Sequence, residues 1–218
     1  MPNKRGRNSG KQGKSNDDLR RSRNNKEPRQ YILIVVEGDT EYNYFTSLNK
    51  LLKLPTTKVE LVKGKGGSPL VIVKKACDLC NSNNYDKIFS VFDGDKPEEY
   101  KKALEQVKKF DITAIPSIPC FEFWFLLHYQ YNDRPFEKCK DVIFELKNNW
   151  IQDYDKAMDI YSVLKPRLDK AIANAERLEQ QQTEQQQKRN IDCANPLTKV
   201  HHLVKYLQDQ KDYKSSKH

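Results

Sequence analysis

Four carboxylates in two short stretches are spaced for joint chemistry. Glu37 and Glu41 lie in "VEGDTE", and Asp93 and Asp95 lie in "VFDGDK". Each pair follows an apolar run, Ile32 to Val36 before the first and Ile88 to Phe92, with one serine, before the second. Runs of this kind read as strands buried on both faces. Alternate residues of an extended chain point to the same side, so Asp93 and Asp95 share a direction. If the two strands are neighbours, all four carboxylates meet on one rim, where they repel unless protons or a cation intervene. An all-oxygen set with an incomplete cage suits Mg²⁺ or Mn²⁺, which keep waters and take phosphate oxygens as further ligands. A helix-start reading competes, with Asp39 as N-cap, Glu41 favourable to the helix dipole and Asp95 opening a capping box. It explains one acid per helix start and leaves Glu37 and Asp93, at strand ends, without a reason.

The elements that must position these groups alternate. Residues 31–36, 58–63, 85–92 and 112–118 read as strands. Between them Tyr42, Phe45, Leu48 and Leu52 make one helical stripe, and Tyr100, Ala103, Leu104, Val107 and Phe110 make another. Ser68-Pro69 reads as an N-cap and first helical residue, and "CFEFWFLLHY" as a buried aromatic helix after the fourth strand. This order predicts an α/β fold, a mostly parallel sheet with helices on both faces. Ligands of such sheets gather beyond the carboxyl ends of the strands, where Glu37 and Asp93 fall. The expected organisation is a basic arm over 1–30, a catalytic α/β domain over 31–130 and a helical appendage over 131–218. Within the appendage, residues 136–149, 155–180 and 196–209 show helical spacing and no strand between them. "EQQQTEQQQKRN" reads as a polar, low-complexity helix end or loop that breaks the region, and Asn195-Pro196 as the start of the last helix.

Other candidates are weaker. Glu122 interrupts a very apolar segment, so its carboxylate must pair, bind metal or face a cleft. "VKGKGGSP" offers backbone amides for a phosphate, with Lys63 and Lys65 adding charge, but lacks the nucleotide-binding Gly-x-x-x-x-Gly-Lys-Ser/Thr pattern. Lys96, like Lys65, is placed to neutralise a phosphate. His128, His201 and His202 read as structural histidines near apolar faces. Cys77 and Cys80 lack a second ligand pair, which excludes a structural zinc site there.

The charge balance names a partner class. The chain of 218 residues carries a net charge of +9. Residues 1–30 hold ten Lys or Arg, among them Arg20, Arg21 and Arg23, against three acids. That arm of +7, poor in apolar residues, suits polyphosphate held by counterion release. No apolar run is long enough to span a bilayer and the N-terminus has no apolar signal core, so no membrane partner is expected. Five irregularly spaced cysteines argue against a disulfide framework and for a reducing cytoplasm.

"VEGDTE" and "VFDGDK" resemble the two signatures of Toprim domains, a glutamate after the first strand and Asp-x-Asp after a later one. Such domains occur in primases, type II topoisomerases and OLD-type nucleases, and the second glutamate is most similar to the nuclease branch. The wider chain, over about residues 31–209, resembles RloB-like proteins, including the AbiL-type abortive-infection component. "GKGGSP", "IPCFEFWFLLHY" and "NPLTKVHHLVKYL" carry that likeness. The resemblance implies a Mg²⁺- or Mn²⁺-dependent endonuclease of a prokaryotic anti-phage system, beside an ABC- or AAA-type ATPase. Glu37, Asp93 and Lys65 would be catalytic. Glu37, Glu41, Asp93, Asp95 and Glu122 would be metal ligands; by charge rather than by resemblance, Arg20, Arg21, Arg23, Lys63, Lys65 and Lys96 are expected to meet tRNA, other RNA or DNA. A homodimer is left open. The rival is a non-catalytic basic adaptor that docks nucleic acid to the ATPase.

Overall fold

The structure, a computed structural model, describes residues 30–54, 57–64, 67–82, 84–189 and 194–215. Five strands form one sheet in the order β2-β1-β3-β4-β5. They are β1 (Gln30–Val36), β2 (Thr57–Lys63), β3 (Lys87–Asp93), β4 (Ile112–Ile118) and β5 (Leu197–Thr198). The first four are mutually parallel, and β5 joins β4 antiparallel. The fold is therefore α/β, as the alternation of apolar runs and helical stripes predicts.

The two sheet faces carry different helices. The inner residues Ile32, Ile34, Val36, Phe89, Val91 and Ile115 pack under α1 (Asp39–Leu52) and α4 (Glu122–Leu127). The same apolar cluster takes in α5 (Cys139–Asn149), α6 (Ile160–Leu164), α7 (Leu168–Arg189) and α8 (Val200–Ser215). Leu33, Val35, Ile88, Phe92 and Ile112 face the other way, under α2 (Pro69–Ser82) and α3 (Pro97–Val107). Residues after 131 thus complete, with α1 and α4, the covering layer of that face, and Leu203, Val204 and Leu207 of α8 are fully buried in it.

Three local expectations change. Asn195-Pro196 does not start a helix. The Asn195 side chain bridges the backbone of Phe136, donating to its carbonyl at 2.7 Å and accepting its N–H at 3.3 Å. Leu197 and Thr198 then pair with Ile118 and Ser117, and the helix begins at Val200. The glutamine-rich run does not break the chain, because α7 continues through it to Arg189. Glutamine is a good helix former, and Ala171, Ala175 and Leu178 anchor the buried side of that helix.

A disulfide joins Cys120 to Cys139, against the expectation from cysteine spacing. The β4–α4 connection and the start of α5 meet in space, although 19 residues separate the two sulfurs in sequence. Cys77 and Cys80 are free. Among the described residues, no helix is long and apolar enough to cross a membrane.

Candidate metal centre

Strand order reverses between β1 and β3, since β2 lies on one side of β1 and β3, reached by crossover, on the other. The crevice beyond the carboxyl ends at such a switch point is the usual ligand site of an open α/β sheet. Glu37 follows β1 there and Asp93 ends β3. Val36 and Val91 are register partners, so the two acids leave the sheet side by side.

Backbone amides hold the carboxylates. The N–H of Asp93 donates to Glu37 Oε2 at 3.0 Å, and the N–H of Phe121 donates to Asp93 Oδ1 at 2.8 Å. The N–H of Gly38 donates to Glu41 Oε2 at 3.0 Å. Glu41 is thus the N3 residue that closes the start of α1, with Gly38 and not Asp39 at the N-cap. The close approach of β3 to β4 needs a glycine at position 94. Its N–H donates to Ser117 O at 2.7 Å, and a Cβ there would stand 2.5 Å from Ile118 Cγ1.

Glu122, at the start of α4, is 1% exposed. Tyr154 donates its hydroxyl to Oε1 at 3.1 Å, and the Lys156 ammonium lies 3.1 Å from the same oxygen. The Cys139 sulfur stands 3.3 Å from Oε2, a contact and not a hydrogen bond, because that sulfur is bonded to Cys120 and carries no proton.

The electrostatics couple these groups. Burial raises the Glu41 carboxyl to about 7, and the nearby Glu122 and Glu37 charges add to the effect. Burial, then Glu41, Glu122 and Glu37, push Asp93 well above the usual carboxylate range. Glu37 is also raised, by burial first and Asp95 next, against the Asp93 amide and the Lys96 and Lys156 ammoniums. Burial opposes the charge of Lys156, yet Glu122, Asp93 and Glu41 together hold its ammonium above the ordinary value. The low dielectric has a visible source in the rings of Tyr44, Phe121 and Phe125, which pack edge-on or tilted within 6 Å of one another.

Glu37, Glu41, Asp93 and Glu122 therefore form one electrostatic unit, with Asp95 exposed at its margin and acting on Glu37. Among the described residues, no three of these five bring ligand oxygens within 4.8 Å of one another. The donor set fits a hard divalent cation, and binding one would draw the side chains inward.

The cationic candidates divide. Lys96 donates to the carbonyl of Gly67, pinning the β2–α2 loop beside Glu37, where a Cβ on Gly67 would stand 3.6 Å from Oε1. Lys63 is paired with Asp39 at 2.6 Å and lies over the Tyr42 ring. Lys65, Arg20, Arg21 and Arg23 lie outside the described residues. Sequence reasoning missed Tyr154 and Lys156: the helical spacing read from residue 155 is not borne out before Ile160, and both residues sit in an irregular stretch between α5 and α6. His128 is buried, with Nδ1 2.9 Å from the Trp124 carbonyl, and burial lowers it to about 4. His201 and His202 meet Glu179 of α7 and not the acidic unit.

No curated protein and no solved structure matches this chain. One protein-family model does, over residues 32–207, a span that begins in β1 and ends in α8 and contains every carboxylate of the rim. The chain belongs to the family described as RloB-like protein.

Proposed function

We propose that this rim is the catalytic centre of a Mg²⁺- or Mn²⁺-dependent nuclease. The observation that carries the reading is the mutual coupling of Glu37, Glu41, Asp93 and Glu122 at the switch point of the sheet. The cap made by Glu41 and the pairing of Glu122 leave Glu37 and Asp93 without a stabilising role, and each acid raises the cost of ionising the next. A divalent cation removes that cost, and Glu37 and Asp93, with Glu41 and Asp95, would hold it. When bound, such an ion supplies an activated water and stabilises charge on a phosphate oxygen.

The protein's own groups account for the rest. Amides of Asp93 and Phe121 fix the orientation of Glu37 and Asp93. Glu41, hydrogen-bonded to the Gly38 amide, is held facing the other rim acids and would serve as a ligand. Lys156 and Lys96 balance phosphate charge at the mouth. Hydrolysis adds water across one P–O bond, leaving a phosphomonoester and a free hydroxyl.

The basic arm favours nucleic acid as the substrate, and Lys74 and Lys75, with Lys63, Asp78, Val62 and Val71, line a groove of about 520 Å³ between β2 and α2. We place this activity in a prokaryotic anti-phage system of the abortive-infection type, with an ABC- or AAA-type ATPase as the controlling partner, because membership of the RloB-like family supports a defence role. Purified protein incubated with labelled RNA or DNA and Mn²⁺ or Mg²⁺ tests the central claim. Cleavage that EDTA abolishes is expected. Tight binding of nucleic acid without cleavage, under every metal, would establish the adaptor instead.

A further inference from the structure

We propose that Glu179, His201 and His202 form a second metal site, for a transition metal of the zinc class, that clips α7 to α8. The three residues bring one carboxylate oxygen and two imidazole nitrogens within 4.8 Å of one another. Both imidazole Nε2 atoms converge on Glu179 Oε2, His201 at 2.9 Å and His202 at 2.8 Å. Tetrahedral ligands around zinc stand roughly 3.3 Å apart, so each nitrogen need only move a few tenths of an ångström from the carboxylate oxygen. The rings are consecutive on α8 and lie 4.1 Å apart between centroids, which keeps both nitrogens on one side of the helix.

The donor set decides the metal class. Two imidazoles and one carboxylate suit zinc and its neighbours, whereas Mg²⁺ prefers the all-oxygen rim. Glu179 already has the support that metal-binding carboxylates require, because the Lys199 ammonium holds its other oxygen, Oε1, while Oε2 faces the two imidazoles. His201 is 1% exposed, so its ring is held in place on the inner side of the trio. His202 is half-exposed, so the site opens to solvent on that side and leaves a position for water. One feature limits the affinity. Coordination through Nε2 moves the His201 ring proton to Nδ1, a buried atom with no partner. Micromolar binding is therefore expected, weaker than in a fully supported site.

The consequence is mechanical. Glu179 and His201 lie 22 residues apart in sequence, on two helices of the layer that covers the sheet. Helix α8 packs on β4 and on α1, which carries Glu41. A metal across α7 and α8 braces that layer and raises thermal stability without entering the acidic rim.

Calorimetric titration of the full chain with Zn²⁺, in excess Mg²⁺, tests this, with Co²⁺ absorption as the second readout. One zinc per chain and a raised melting temperature are expected, both lost in His202→Ala and both kept in Asp93→Asn. Because His202 is half-exposed, its variant should stay folded, which circular dichroism checks. The Co²⁺ complex should show visible bands without thiolate charge transfer, separating this trio from Cys120, Glu122 and Cys139. Absence of zinc binding, equal binding in His202→Ala, or a thiolate band would each overturn the assignment. Failure of the nuclease assay would leave it untouched, since no step here uses the rim.

Discussion

The peptide N–H of Asp93 donates to the side chain of Glu37 across 3.0 Å, so the strand that supplies one acid also fixes the other. Glu37→Gln keeps an acceptor for that amide while removing the negative charge. The variant should retain its circular dichroism spectrum and lose roughly 100-fold or more of its metal-dependent cleavage. Calorimetry should show weakened Mn²⁺ binding in parallel. Wild-type cleavage and metal affinity in Glu37→Gln would remove this carboxylate from the centre.

Lys156 is the counter-charge of Glu122, and the pair is lopsided. The carboxylate side chain is 2% exposed and the lysine side chain 59%. Lys156→Met leaves Glu122 buried with Tyr154 as its charge-neutral partner. Breaking a fully buried pair costs about 3–5 kcal/mol, and exposure of the lysine brings the expected loss down to about 1–3 kcal/mol. Glu122→Gln in the Lys156→Met background should return much of that stability, since it removes the uncompensated charge. A double-mutant cycle in urea measures the coupling. Strictly additive losses would mean that the two groups do not interact.

The strands of this sheet were legible because each is a short apolar run between turn signals, and the 112–118 reading coincides with β4. Neighbouring placement of β1 and β3 was only conditional, because hydrophobic runs say nothing of strand order. β5 is two residues long, below the length at which periodicity means anything, and Pro196 before it imitates a helix start. Of the rim, the acids stand out in sequence because charges beside buried strands are conspicuous. Tyr154 and Lys156 do not, because polar residues in an irregular stretch are commonplace and only the packing of α4 to α6 aims them at Glu122. Removing residues after 131 would strip α5 to α8 from the apolar cluster and take Tyr206 away from Phe89, so partner mapping needs surface substitutions on α7 and α8, not truncation.

Protonation of Glu41 gives the metal-free protein a definite pH response. Its carboxyl is near 7 when folded and 4.5 as the unperturbed group, so between these values the folded state holds a proton that the unfolded chain has lost. Stability from this group therefore falls as pH rises through that window, by on the order of 3 kcal/mol at most. His128 and His201, held near 4 against 6.5, work the other way between about 4 and 6.5. The net slope is mixed in acid and set by the carboxylates above pH 6.5. Melting curves from pH 5 to 8 should show that Glu41→Gln gains on wild type as pH rises, and that Mn²⁺ closes the gap at pH 7.5. A pH-independent difference between the two proteins would mean that Glu41 does not titrate there.

The arm supplies most of the net charge, seven of the nine positive units. Deleting residues 1–29 should leave the melting temperature within a few degrees, because that segment offers few apolar side chains to any core. Nucleic-acid affinity at low salt should fall, and the plot of log affinity against log salt should flatten. For every phosphate that the arm ceases to neutralise, the slope should shrink by about 0.9 on duplex DNA and about 0.7 on a single strand. Fluorescence anisotropy on matched oligonucleotides, with Ca²⁺ replacing Mn²⁺ to suppress cleavage, provides both numbers. The cleavage rate at saturating substrate should not change, since no rim residue belongs to the arm. Equal salt slopes with and without residues 1–29 would show that the arm touches no phosphate and would leave Lys96, Lys156 and the β2–α2 groove to hold the substrate alone.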